Sequence, residues 1–169
     1  MLSIRSLTGL ALSAILLVTM SGCGPSPGAE YAVKTLEITH RIPGSVQGWG
    51  MVLDPWFKGG QVNLEDLART KTMGNESMKQ IRDAVYAVEV PSDPKAKEFA
   101  ELVQGYCDWQ VETFIGTLNE VSELAEQENP ASLPTLQKAS ALLQPLEDAE
   151  QEWVKKINAQ AKKLGLQVK

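Results

Sequence analysis

The chain reads as all-α: an antiparallel bundle of three to four long amphipathic helices, preceded by an irregular N-terminal arm rich in Gly, Pro and Trp. Three observations predict this. Apolar residues recur at alternating steps of three and four over residues 61–169. Helix-capping and helix-stopping residues flank each periodic segment. No second strand-like segment exists to pair with the one short alternating stretch near residue 36.

The first long segment opens at Asn63, an N-cap, with Glu65 and Asp66 meeting the positive end of the helix dipole. Its seam runs Leu64, Leu67, Lys71, Gly74, Met78, Ile81, Val85, Val88 and stops at Pro91. Lys71 and Gly74 weaken the middle, which predicts a frayed or kinked centre or a second helix starting at Asn75. The second segment starts at Asp93, with Pro94 at the first helical position, where a missing N–H costs nothing. Its face is Phe99, Val103, Cys107, Phe114, Leu118, Val121 and Ala125, widened by Leu102, Tyr106 and Trp109, and it ends before Asn129-Pro130. At 1.5 Å per residue it spans about 50 Å. The third, capped by Ser132 with Pro134 in its first turn, places Leu133, Leu136, Leu143, Leu146, Trp153, Ile157 and Leu164 near one face. Pro145 should kink or divide it. Beyond Pro145, acids come first and lysines last, complementing the dipole, and Gly165 is a stop.

Upstream, residues 31–42 fit either a strand (Leu36, Ile38, His40, Ile42) or a short helix ended by Pro43, and the helix is preferred. Residues 43–60 contain five Gly and two Pro and are expected to be irregular. This arm concentrates Trp49, Met51, Val52, Leu53, Trp56 and Phe57. Either it lies over the bundle and closes its open face, or Trp49, Trp56 and Phe57 contact a partner or the lipid headgroup zone.

The amino terminus carries a separate signal. Arg5 is followed by an uncharged, mostly apolar run from Leu7 to Met20, shorter than the roughly 20 residues that cross a bilayer. Met20-Ser21-Gly22-Cys23 then resembles the lipobox of bacterial lipoprotein precursors, with Met where Leu is the usual residue. The resemblance covers residues 1–23 and identifies no family for the mature domain. It implies cleavage between Gly22 and Cys23, a diacylglycerol on the Cys23 thiol and acylation, such as palmitate, of its amine. Residues 1–22 would be a signal peptide, 23–30 a lipidated Cys with a short Pro/Gly linker, 31–60 the ambiguous segment and arm, and 61–169 the bundle. Gly24, by analogy with lipoprotein sorting, favours an outer membrane facing the periplasm over an inner membrane.

Charge and composition narrow the chemistry. The chain has 16 Lys and Arg against 21 Asp and Glu, and losing the first 22 of 169 residues removes Arg5 as well. That balance argues against a nucleic-acid partner, which would require a basic stripe. His40 is the sole imidazole and has no partner at metal-ligand spacing. Cys107 lies mid-helix beside Asp108, an environment that disfavours a thiolate, so it reads as core filler. Glu98, Glu101, Asp108 and Glu112 lack the Glu-x-x-His pairing of di-iron bundles and read as a solvated face. No catalytic residue, metal site or cofactor is assigned. The expectation is a membrane-anchored envelope lipoprotein whose bundle serves protein interaction, with an unidentified envelope protein as partner, or a structural role. The alternative is a bundle that binds a small molecule or cofactor against Cys107, Tyr106 and Trp109.

Overall fold

The computed structural model describes residues 26–167, and every regular element among them is helical. The expected signal peptide of residues 1–22, with its expected cleavage site at Gly22 and Cys23, lies outside the described residues.

Helix α1 (Pro27–Thr39) begins earlier than its composition suggests. Ser26 is its N-cap, its Oγ accepting from the Ala29 N–H at 3.2 Å, and Pro27 occupies the first turn. Residues 27–30 are therefore a helical turn rather than linker. Gly28 is buried because α1 approaches closely: a Cβ there would lie 3.0 Å from Leu164 and 3.1 Å from Asp93. The helix continues through the segment that could have been a strand and turns at His40 and Arg41.

Helix α2 (Ile42–Phe57) replaces the expected irregular arm. Pro43 starts it instead of merely ending α1, since a proline in the first turn forfeits no hydrogen bond. Gly59, at φ +81°, ends it. The Gly59 N–H bonds Trp56 O at 3.0 Å and the Gly60 N–H bonds Pro55 O at 2.9 Å, a Schellman closure. Ile42, Trp49, Leu53 and Trp56 are its buried face, at helical spacing.

Helix α3 (Leu64–Tyr86) is unbroken and capped by Asn63 as expected, Oδ1 accepting from Glu65 N and Asp66 N. Its weak centre is filled from neighbours. Lys71 pairs with Glu126 at 2.9 Å, and Gly74 is buried under the Trp49 ring. A long composite helix follows: α4 (Pro94–Trp109), one wide π turn (Gln110–Phe114) and α5 (Ile115–Gln127). The Ile115 N–H reaches Gln110 O, five residues back, so the chain never leaves helical geometry. The expected apolar face from Phe99 to Ala125 is buried throughout.

Helix α6 (Leu133–Lys163) runs through Pro145 without dividing. Pro145 and Ala141, whose carbonyl loses its i+4 donor, are both exposed, so the break in the hydrogen-bond ladder falls on the solvent side of the helix. Leu133 is exposed rather than in the seam. Ser132 makes no side-chain cap. Glu128 does the work instead, accepting from Ser132 N at 3.0 Å and from the Thr135 hydroxyl, which holds its carboxyl below the usual range. At the far end Gly165, at φ +87°, closes α6: its N–H bonds Lys162 O and the Leu166 N–H bonds Ala161 O.

Side-chain pairings fix the topology. Tyr31 meets Phe99 edge-on at 6.2 Å, Trp49 Nε1 donates to Ser122 Oγ at 3.0 Å, and Trp56 Nε1 donates to Glu128 O at 2.8 Å. The α1–α2 pair thus runs parallel to the long α4–α5 helix as one broken helix. Asn75 with Asn119, Tyr86 with Asp108, Glu150 with Tyr106 and Gln160 with Glu98 place α3 and α6 antiparallel to it. The result is an up-down-up-down bundle with α4–α5 as its spine. At the end where α2 meets α3, Asn129 clasps the neighbouring turn, accepting from Val62 N and donating to Val62 O, both at 2.9 Å.

Candidate functional site: a buried polar triad at the wide turn

The longest buried polar cluster lies where the π turn faces α6. Tyr106 and Gln110 stand one turn apart on the spine, and Glu150 reaches them from α6. All three are buried, Gln110 completely. Gln110 Nε2 donates to Tyr106 Oη at 2.8 Å and to Glu150 Oε1 at 3.2 Å, and the Tyr106 hydroxyl donates to Glu150 Oε1 at 3.0 Å. Two buried acceptors, Glu150 Oε2 and Gln110 Oε1, have no protein partner.

Aromatic rings wall this cluster. Trp109 stacks on Tyr106 with centroids 6.2 Å apart, Trp153 lies 6.3 Å from Tyr106, and Lys156 Nζ sits 5.7 Å over Trp153. Burial pushes the Glu150 carboxyl above its ordinary range, against the lowering effect of the hydrogen bonds from Tyr106 and Gln110. Burial first, then the Glu150 charge, pushes the Tyr106 phenol well above 10. The three hydrogen bonds tie α4 and the π turn to α6 in one register.

The other residues singled out from sequence fall into place as follows. Trp49 and Trp56 are fully buried, each with its indole N–H bonded, and Phe57 is half-buried edge-on to Trp56. Trp49 and Trp56 close the bundle and present no face to a partner or to headgroups, while Phe57 keeps part of its ring exposed. Cys107 is buried beside Tyr106, and burial followed by the Asp108 charge pushes its thiol up to about 12. His40 is exposed at the end of α1. Among the acids of the long helix, Asp108 accepts from the Tyr86 hydroxyl at 2.6 Å and pushes that phenol up to about 12. Glu98 accepts from Gln160, while Glu101 and Glu112 remain solvated. Among the described residues, no three His, Cys, Asp or Glu side chains converge at metal-binding distance.

Gln110 and Glu150 escaped the sequence reading, yet a signal was present. Gln110 completes the seam Val103, Cys107, Gln110, Phe114, and Glu150 completes Leu143, Leu146, Glu150, Trp153, Ile157. A polar residue at an unbroken apolar spacing marks a buried polar contact. Comparison with protein-family models, with curated proteins and with solved structures gives no match to this chain.

Proposed function

We propose that the protein is a bacterial envelope lipoprotein, tethered through lipid on Cys23, whose helical bundle is a non-enzymatic element for protein interaction or structure. The observation that carries this reading is the lipobox-like Met20-Ser21-Gly22-Cys23 standing immediately before the fold, whose capping residue is Ser26. A signal peptide that ended inside the bundle would destroy its first helix, and this one would end four residues before Pro27, where that helix starts. Export of the anchored chain to an outer membrane, facing the periplasm, follows from Gly24 after the lipidated Cys.

A second reading, a bundle that binds a small molecule or cofactor, is favoured by Glu150 Oε2 and Gln110 Oε1. These buried, unpartnered acceptors have an aromatic surround that suits a guest bearing hydrogen-bond donors.

Metabolic lipid labelling tests the anchor: Cys23→Ser should abolish it, and label that persists refutes the assignment. Cross-linking in the native host, with identification of what co-purifies, tests the interaction role. A stoichiometric small molecule released on denaturing the native protein, with no cross-linked partner, would favour the second reading.

A further inference from the structure

We propose that the end of the bundle from which the Cys23 tether leaves is a footing for an anionic lipid leaflet, so that the anchored protein stands with its helices along the membrane normal. This rests on the lipid-anchor reading above and adds the orientation and the lipid chemistry.

Geometry places the tether. Gly28 packs against Leu164 and Asp93, so the start of α1, the start of α4 and the close of α6 share one end of the bundle. From Ser26 back to Cys23 is three residues, a reach of at most about 10 Å. The lipid therefore holds this end within roughly one physiological screening length of the headgroups, where surface charge is felt.

Charge supplies the partner. The first turns of α1 and α4, the last turns of α6 and the loop before α4 carry seven lysines (34, 95, 97, 155, 156, 162, 163) against six carboxylates (30, 89, 93, 98, 101, 152), Glu152 being the ion-pair partner of Lys155. The remaining described residues carry seven Lys and Arg against fifteen Asp and Glu. An acidic protein thus concentrates its positive charge at its tethered end. Lys34, Lys95, Lys97, Lys162 and Lys163 are exposed and form no ion pair among the described residues. Lys162 and Lys163 also suit the dipole of α6, but Lys95 and Lys97 stand at the positive end of α4, where basic residues oppose the dipole. Helix stability does not account for them; an external anion does.

The footing is electrostatic rather than inserted. The exposed large apolar side chains, Met51, Leu64, Met73, Tyr86 and Leu133, lie on α2, α3 and the start of α6, none at the tethered end. The spine then carries the acidic α5–α6 turn about 50 Å from the leaflet.

The test uses the intact lipidated chain, purified in detergent, weighed by mass spectrometry and reconstituted in supported bilayers of phosphatidylcholine with or without phosphatidylglycerol. Polarised infrared spectroscopy reads helix orientation. The expected result is alignment along the normal with phosphatidylglycerol at low salt. It should be lost at high salt, in phosphatidylcholine alone and in Lys95→Glu/Lys97→Glu/Lys162→Glu/Lys163→Glu. Should that variant misfold by circular dichroism, the lipid and salt dependence of the unsubstituted chain decides. Dichroism equal in both lipids overturns the footing while leaving the anchor intact. Alignment that requires added envelope extract points to a protein at this end and overturns it equally. A mass without lipid overturns the anchor and the footing together.

Discussion

Substituting Gly74 by Ala isolates how α2 is seated on the bundle. In an open helix the change should stabilise by about 1 kcal/mol, because Ala loses less backbone entropy. At position 74 the new methyl would occupy the space of the Trp49 ring, with Ser45 O only 3.1 Å away on the other side. Trp49 has no room to yield: it is fully buried and its Nε1 is held by Ser122 Oγ, which itself donates to Leu118 O at 2.8 Å. Overpacking costs about 1–3 kcal/mol, and stranding the indole N–H adds a similar amount. The net expectation is a loss of about 1–5 kcal/mol after the propensity gain. Gly116→Ala is the control, since a Cβ there meets nothing within 4 Å, and it should gain about 0.5–1 kcal/mol. Urea titration followed by helical circular dichroism reads both as midpoint shifts at constant slope. In a Trp49→Leu background the cost of Gly74→Ala should largely vanish. Equal stabilisation by the two Ala substitutions, or strict additivity with Trp49→Leu, would refute the seating.

Three further outcomes follow from the buried groups and the helix closures. Because burial raises the Glu150 carboxyl, the native state binds its proton more readily than the unfolded state, so stability falls as pH rises from the ordinary carboxyl range through the raised native value. Glu150→Gln should remove that slope, because an amide does not titrate; an unchanged slope would refute it. Cys107 should resist a disulfide reagent in the folded chain and react promptly in urea, where a lipidated chain titrates a single thiol. Prompt reaction of the native protein would contradict its burial. Gly165→Ala forces an L side chain to φ +87° and should cost about 1 kcal/mol, or roughly 3 °C in melting temperature, whereas an unchanged melting point would mean the closure contributes nothing.

The legible parts of the fold were those where one local rule acts alone. Asn63 and Asp93 cap because nothing competes for the amide hydrogens behind them, and Gly165 stops α6 because only its φ suits the closure. The face from Phe99 to Ala125 was readable because a seam needs only period and polarity. Residues 42–60 were illegible because Gly and Pro signal turns and helix termini alike. Pro43 and Gly59 are a start and a stop, sixteen residues apart, and Ile42, Trp49, Leu53 and Trp56 are the stripe between them. The weak centre of α3 misled for a related reason. Gly74 looks like a helix breaker in isolation, but it is a socket whose occupant lies 25 residues away in sequence.

The polar contacts of the core share one geometry, and it explains why the site was harder to read than the helices. Ser122 anchors Trp49 of α2, Asn119 pairs reciprocally with Asn75 of α3, and Tyr106 with Gln110 holds Glu150 of α6. Each contact ties a different helix to the spine at a different height. Apolar seams at three-four spacing tolerate a slip of one turn, since Leu or Val then meets Leu or Val. A slipped bundle would leave Ser122, Gln110 and Glu150 facing hydrocarbon, at about 1–3 kcal/mol apiece, and would break the half-buried Asn75–Asn119 pair. These polar contacts therefore select the register that hydrophobic periodicity leaves degenerate. The Glu150 triad differs from the other two in keeping two acceptors unpaired. Register alone needs only its three made bonds, so Glu150 Oε2 and Gln110 Oε1 are where chemistry beyond architecture would enter. Glu150→Gln separates these roles: a bundle that needs only register keeps its stability, while a guest that bonds the carboxylate is lost.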